Sequence, residues 1–272
     1  MAVAQQPAVP QVGANGNELV RQTIENELRI SEADHSHWMY RQDKQDDQSP
    51  RELREVIDTV NGSIYRVLSV NGVPLNTAQQ QAEDARIQRY IHDPEAQRKK
   101  ARSRKEDAQK AKQMLKMLPN AFIYTVTKVS DGVVELSFRP DPNFDPPDRE
   151  TQVFHSMEGN MVINQREMRM QRLSGRLMED VTFGWGILGR LQKGGTFVVE
   201  QEEVSPGIWL NKTLDVNMHG KAVFFKTIDV QQHEHSSDFR RVPDDLTLEA
   251  AAQRLQEETR LAGNTGSGSQ AR

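Results

Sequence analysis

The spacing of apolar residues changes twice along this chain, and the changes divide it. In NELVRQTIENELRI, residues 17–30, Leu19, Val20, Ile24 and Leu28 recur at helical spacing, which predicts a short amphipathic helix. From residue 36 to 75 the period shortens to two. HSHWMYRQ alternates around Trp38 and Tyr40, and LREVIDTVNGSIYRVLSVNGVPL holds two apolar runs about Asn61-Gly62. Asn-Gly between such runs predicts a β-hairpin, because both central residues of its tight turn need positive φ. A second pair, Asn71-Gly72, follows.

The strand pattern then stops. TAQQQAEDARIQRYIHDPEAQRKKARSRKEDAQKAKQMLKMLPN has no glycine and few β-branched residues. Thr77 with Gln80 reads as a capping box, and Asp93-Pro94 as the cap and first position of a second helix ending at Pro119-Asn120. The apolar stripe of this pair is narrow: Ile87, Tyr90 and Ile91, then Met114, Leu115 and Leu118.

From 121 to 242 short alternating runs return, with turn signals at Asp131-Gly132, Gly159-Asn160 and His219-Gly220. Ile208, Leu210, Leu214, Val216 and Met218 alternate with Trp209, Asn211, Thr213, Asp215 and Asn217, which predicts a half-buried antiparallel strand. Pro140 to Pro147 reads as a loop, and TLEAAAQRL as a short helix. The expected class is α+β: a large antiparallel meander with covering helices and a charged helical hairpin. One domain is expected. It comprises a disordered tail 1–16, helix and first strands 17–75, the inserted hairpin 76–119, the meander 120–243, a C-terminal helix 244–262 and a disordered tail 263–272.

Composition narrows the chemistry. The chain has 272 residues and no cysteine, which excludes disulfides, thiol nucleophiles and cysteine-ligated metals. Its net charge of −4 argues against whole-protein attraction to nucleic acid. No apolar run approaches the ~20 residues of a membrane helix. Ala2-Val3-Ala4 fits the small-residue pattern before a signal-cleavage site, so a periplasmic or secreted protein with a truncated signal peptide is expected, a cytoplasmic one being the alternative.

Gly184, Gly186 and Gly189 spell G-x-G-x-x-G in DVTFGWGILGRLQKGGTFVVEQ. A dinucleotide fingerprint needs a helix next. Here Gly194-Gly195 and a strand-like TFVVEQ follow, so the expectation is an apolar bend between strands and no cofactor. His35-x-His37 and His233-x-His235 place paired imidazoles at metal-ligand spacing on strands, but a polar strand face explains them as well. Asp141, Asn143 and Asp145 open like a calcium loop, yet Pro146 replaces the required glycine. The run RKKARSRK, Arg98 to Lys105, suits a solvated helix face or an anionic membrane surface. No aromatic residue lies near it for base stacking, so nucleic acid is not expected.

EGNMVINQREMRMQRLSGRL, EDVTFGWGILGRLQKGGTFVVEQ, GIWLNKTLDVNMHGKAVFFKTI and HSSDFRRV together resemble the outer-membrane lipoprotein-sorting class, the periplasmic lipoprotein-carrier-like superfamily of bacteria. The resemblance covers about half the chain and implies a sheet curled into a half-barrel whose concavity takes acyl chains or lipoproteins. The charged hairpin is an insertion relative to that class, and no binding residue transfers.

The expected function is therefore a non-enzymatic carrier-like protein that binds a lipid or acylated protein in an apolar groove. Leu136, Phe138, Trp185, Trp209, Leu210, Leu214 and Phe224 are candidates to line it. The alternative is an envelope interaction module that uses the hairpin to hold a protein partner. A metal-dependent hydrolase is the third reading.

Overall fold

The computed structural model describes residues 15–47, 49–148, 151–183, 189–222 and 226–267. In chain order the elements are α1 (Gly16–Ala33), β1 (His37–Asp46), β2 (Ser49–Thr59), β3 (Gly62–Val70), β4 (Val73–Pro74), α2 (Thr77–Ile91) and α3 (Pro94–Ala121). β5 (Phe122–Ser130), β6 (Val133–Pro140), a 3-10 turn (Thr151–Ser156), β7 (Met157–Asn164), β8 (Arg169–Leu177), β9 (Val181–Phe183) and β10 (Gly189–Leu191) follow. β11 (Thr196–Ser205), β12 (Ile208–Ala222), β13 (Lys226–Val242) and α4 (Leu248–Ser267) complete the chain. It is an α+β protein with thirteen strands in an antiparallel meander.

Two compact units divide it: a larger one of residues 1–33 and 111–230, and a smaller one of 34–110 and 231–272. In the larger unit the strands run β12-β11-β8-β7-β6-β5, with β9 and β10 as a side hairpin against β12. β5 has a single strand neighbour, so this sheet is open and forms no closed barrel. One sheet face is apolar, and α1 and the end of α3 cover it. Leu19, Val20 and Ile24 of α1 and Leu118 and Ala121 of α3 join Phe122, Leu136, Phe138, Met161 and Ile163 in the core. Each large side chain so buried contributes about 1.5–3 kcal/mol. Gly16 lets α1 approach closely, since a Cβ there would stand 2.7 Å from the Tyr124 carbonyl oxygen. Asn17 uses that approach. Its Nδ2 donates to the carbonyls of Phe122 (2.6 Å) and Pro119 (3.0 Å), and its Oδ1 accepts from Tyr124 N (3.1 Å). The free edge of β5 is thereby satisfied over its first residues.

In the smaller unit the order is β4-β3-β2-β1-β13. Met39, Ile57, Ile64 and Val242 pack with Ile87 of α2 and Leu248, Ala251, Ala252 and Leu255 of α4. The apolar stripe of the expected hairpin thus serves two cores: Ile87, Tyr90 and Ile91 pack in this one, Leu115 and Leu118 in the other. Met114 is exposed.

Several turns lie where the sequence puts them. Asn71-Gly72 and Asp131-Gly132 have positive φ at both residues (51° and 78° in each pair). Asp93 Oδ1 accepts from Glu95 N and Ala96 N, capping α3 at Pro94. Others differ. The β2–β3 hairpin turns one residue earlier than expected, Thr59 pairing with Gly62 across Val60-Asn61, so that Gly62 opens β3 instead of closing the turn. The capping box of α2 is Asn76 with Gln79, one residue before the expected pair. Gly159-Asn160 is no turn: Gly159 sits mid-strand in β7, opposite Gly175 of β8. The turn falls at 165–168, where Asn164 Oδ1 accepts from Arg166 N and Glu167 N and Met168 takes positive φ (52°). His219-Gly220 is likewise inside β12, with Gly220 paired to Leu191. The alternation expected in β12 is broken by register shifts against β11, so Trp209 and Thr213 are buried and Leu210 and Leu214 only half-buried. The proposed tails at 1–14 and 268–272 lie outside the described residues, and α4 runs on to Ser267.

Candidate functional site

A trough of about 660 Å³ crosses β5, β6, β7, β8 and β11 in the larger unit, on the sheet face away from α1. Its construction follows from register. Cross-strand partners share a face, and successive residues alternate between faces. Tyr124, Phe138, Gly159, Gly175 and Phe197 are paired in one row across five strands. Tyr124 and Phe138 of that row are buried in the core, so the row turns its side chains away from the trough and forms its floor.

The neighbouring rows form the walls. Ser137, Asn160, Ser174 and Val198 pair in turn on one side. Glu158, Arg176 and Thr196 pair on the other, with Ile123–Arg139 at the β5 end. The two floor glycines thin the sheet. A Cβ at Gly159 would meet the Ser174 carbonyl oxygen at 2.0 Å and Phe138 Cζ at 2.7 Å. One at Gly175 would meet Phe197 Cε1 at 2.5 Å. The rings of Phe138 and Phe197 lean into the space the glycines leave on the core side, so the trough floor itself is bare backbone. Glu158 accepts from Arg176 Nε (2.8 Å) and Nη2 (2.6 Å). Arg139 is exposed and makes no ion pair with another described residue.

Of the residues expected to line an apolar groove, Phe138 lies at this trough. Leu136 is fully buried beneath α1. Trp209 borders a second recess with Val162, Arg172, Glu200 and Lys212, where its Nε1 donates to Glu167 (2.7 Å). Leu210 and Leu214 line neither space, and Trp185 and Phe224 lie outside the described residues. The glycine motif is half outside them as well. Its last residue, Gly189, opens β10, which pairs antiparallel with β9 and β12, so a strand stands where a dinucleotide fold needs a helix.

The histidine pairs stay apart. His35 precedes β1 in an exposed loop, so it shares no strand face with His37. His37 lies 3.9 Å from Asp244 and its Nδ1 has no hydrogen-bond partner. His233 and His235 lie opposite Gln45 and Asp43. Arg51 holds the Asp43 carboxyl below its ordinary range by hydrogen bonding, with His233 and His235 adding to the effect. Glu234 instead accepts from Lys44 (2.5 Å) and Gln42 (3.2 Å). Among the described residues no group of three potential ligands converges on one point.

The second distinctive surface is α3. Between residues 101 and 113 it is exposed almost all round, and Arg98, Lys99, Arg102 and Lys105 are exposed without an ion pair to another described residue. A helix polar on every side makes its stability elsewhere, here at its two ends. No described helix is long and apolar enough to cross a membrane. The chain matches no protein-family model, and no curated protein or solved structure is significantly similar to it.

Proposed function

We propose that the chain is a non-enzymatic binding protein that holds an elongated amphiphile, a lipid or an acylated segment of another protein, in the trough of the larger unit. The cross-section of the trough carries this reading. Ile123 and Val198 give it apolar surface, the backbone of the Phe138–Phe197 row gives it a floor, and Ser137, Asn160, Ser174 and Arg176 give it polar rims. Each methylene removed from water there is worth about 0.8 kcal/mol. Arg139, with no carboxylate of its own among the described residues, suits an acidic head group. The half-barrel implied by the sequence resemblance is not required, because an open sheet face with this row pattern can hold a chain along its length. The apolar face under α1 is already filled and is not the groove.

The test is mass spectrometry of an organic extract of natively purified protein beside a mock purification, repeated for Ser174→Leu and Arg139→Gln. A lipid retained by the native chain and lost from Ser174→Leu, with an unchanged unfolding midpoint, supports the reading. An extract identical to the mock, together with no uptake of a fluorescent fatty acid, overturns it.

The exposed middle of α3 favours a second reading, an interaction module held by this helix at an anionic membrane surface or envelope partner. Replacing Arg98, Arg102 and Lys105 by glutamine would then abolish salt-sensitive sedimentation with anionic vesicles, and unchanged sedimentation would refute it.

A further inference from the structure

In the smaller unit we infer a phosphoryl-anion site centred on Lys100 and Arg104 of α3, above the β2–β3 hairpin turn and Tyr65. It is independent of the trough. Lys100 and Arg104 stand one helical turn apart and so face the same way. Lys100 Nζ donates to the Ser63 carbonyl, Arg104 Nη1 to Ser63 Oγ and Arg104 Nη2 to the Asn61 carbonyl, each at a long 3.3 Å. Gly62 makes room for this: a Cβ there would stand 1.6 Å from Arg104 Nη2, so the guanidinium occupies the space a side chain would take.

Positive charge gathers here beyond what the protein neutralises. Arg86 and Arg54 lie 4.2 and 4.5 Å from the Tyr65 ring centre and Lys100 lies 5.4 Å from it, with Lys100 also 5.2 Å from the Tyr90 ring. Arg54 is answered by Glu52 (2.6 Å), Arg86 by Glu83 (2.7 Å) and nearby Arg66 by Asp84 (2.5 Å). Lys100 reaches no carboxylate among the described residues, and Arg104 reaches Asp58 only through the Ser63 hydroxyl. Arg104 Nε is buried with no hydrogen-bond partner. Burial, then the charges of Arg104, Arg86 and Arg54, hold the Lys100 amine below its ordinary range. Exposed Arg98, Lys99, Arg102 and Lys105 add further positive charge on α3, against Glu95, Glu106 and Asp107.

A compact anion with more than one charge and several acceptor oxygens satisfies an ammonium and a guanidinium together, which is what a phosphoryl group offers. It could belong to free phosphate or to a lipid head group.

The test uses the full chain in phosphate-free buffer. Inorganic phosphate is titrated against thermal unfolding and by calorimetry, with chloride at matched ionic strength as control. Vesicles of phosphatidate in phosphatidylcholine are compared with phosphatidylcholine alone by sedimentation. Lys100→Gln is the principal variant and the triple Arg98→Gln, Arg102→Gln, Lys105→Gln the control. The expected result is a saturable, phosphate-specific rise in midpoint that Lys100→Gln weakens about tenfold or more and the triple variant largely keeps. Without phosphate, Lys100→Gln is at least as stable as the native chain, since it relieves like-charge repulsion, so the variant stays folded. Retention by phosphatidate vesicles that Lys100→Gln abolishes assigns the group to a lipid, and a response to phosphate alone assigns a soluble anion. Equal responses of native chain and Lys100→Gln to both probes overturn the site, whatever lipid the trough holds.

Discussion

Glu27 on α1 and Arg169 on β8 form a two-pronged ion pair, with Oε1 accepting from Nε at 2.9 Å and Oε2 from Nη2 at 3.0 Å. Both side chains are less than a tenth exposed. Glu27 Oε1 also accepts from Met170 N (2.8 Å), and the Arg169 guanidinium lies 5.8 Å from the Trp209 ring centre. The pair fixes α1 against the sheet by direction, where the surrounding apolar contacts fix it only by shape.

Removing one partner leaves the other buried and charged. Glu27→Gln or Arg169→Met should destabilise the larger unit by about 3–5 kcal/mol. The combined Glu27→Leu, Arg169→Met protein should lose much less than the sum. Urea unfolding followed by tryptophan fluorescence, with Trp209 beside the pair, measures all three. Additive losses would show that the two groups act separately.

Gly159 and Gly175 face each other in the trough floor but should tolerate substitution differently. Gly159→Ala drives a methyl against the Ser174 backbone oxygen, which cannot rotate away, and should cost about 1–3 kcal/mol or more. Gly175→Ala meets the far end of the Phe197 ring, which can swing aside, and should cost less. Matching unfolding midpoints for the two variants would mean the floor is more pliable than its geometry states.

Asn17 makes three hydrogen bonds to the backbone around the start of β5. Asn17→Ala should cost about 1–3 kcal/mol by leaving these groups without that partner. Amide exchange gives a local reading: the Tyr124 N–H should exchange faster, while amides of the smaller unit keep their rates. Unchanged Tyr124 protection would mean that another group covers this edge.

What could be read from sequence and what could not separates by the range of its cause. Asn71-Gly72, Asp131-Gly132 and Asp93-Pro94 act through their own backbone, and their turns and cap stand where they were expected. Gly159 reads as a turn for the same reason and is not one. It is glycine because Phe138 and Ser174, distant in sequence, come within contact of its missing Cβ. The trough was hidden for a related cause. Its rows exist only once five strands are in register, and a bulge such as that between β11 and β12 exchanges inward for outward positions. Leu136 and Phe138 both read as candidates for an apolar groove, and only the packing against the sheet shows that both are enclosed in the core. The basic run was visible. That Lys100 and Arg104 turn inward while Arg98 and Arg102 stay outside was not, because it depends on where Ser63 and Tyr65 stand.

Asp58 links the hairpin of the smaller unit to pH. Burial raises its carboxyl above the ordinary value of 3.8, outweighing the opposing pull of Ser63, His37 and Arg104. In the unfolded chain the group ionises near that ordinary value, while the folded chain keeps its proton to higher pH. The contribution of Asp58 to stability is therefore fully present below the unfolded value and is lost as pH rises through the folded one. Asp58→Asn, which keeps an oxygen for Ser63 Oγ and no charge, should be more stable than the native chain near pH 7. The difference should disappear by about pH 3, where Asp58 is largely protonated in both states. Urea midpoints across that range, taken without phosphate so that Lys100 and Arg104 keep one ionic environment, decide the matter. A native chain more stable than Asp58→Asn near pH 7, by a margin lost towards acid, would place the Asp58 carboxylate in a stabilising ion pair with Arg104 instead, and the sign of its shift would be reversed.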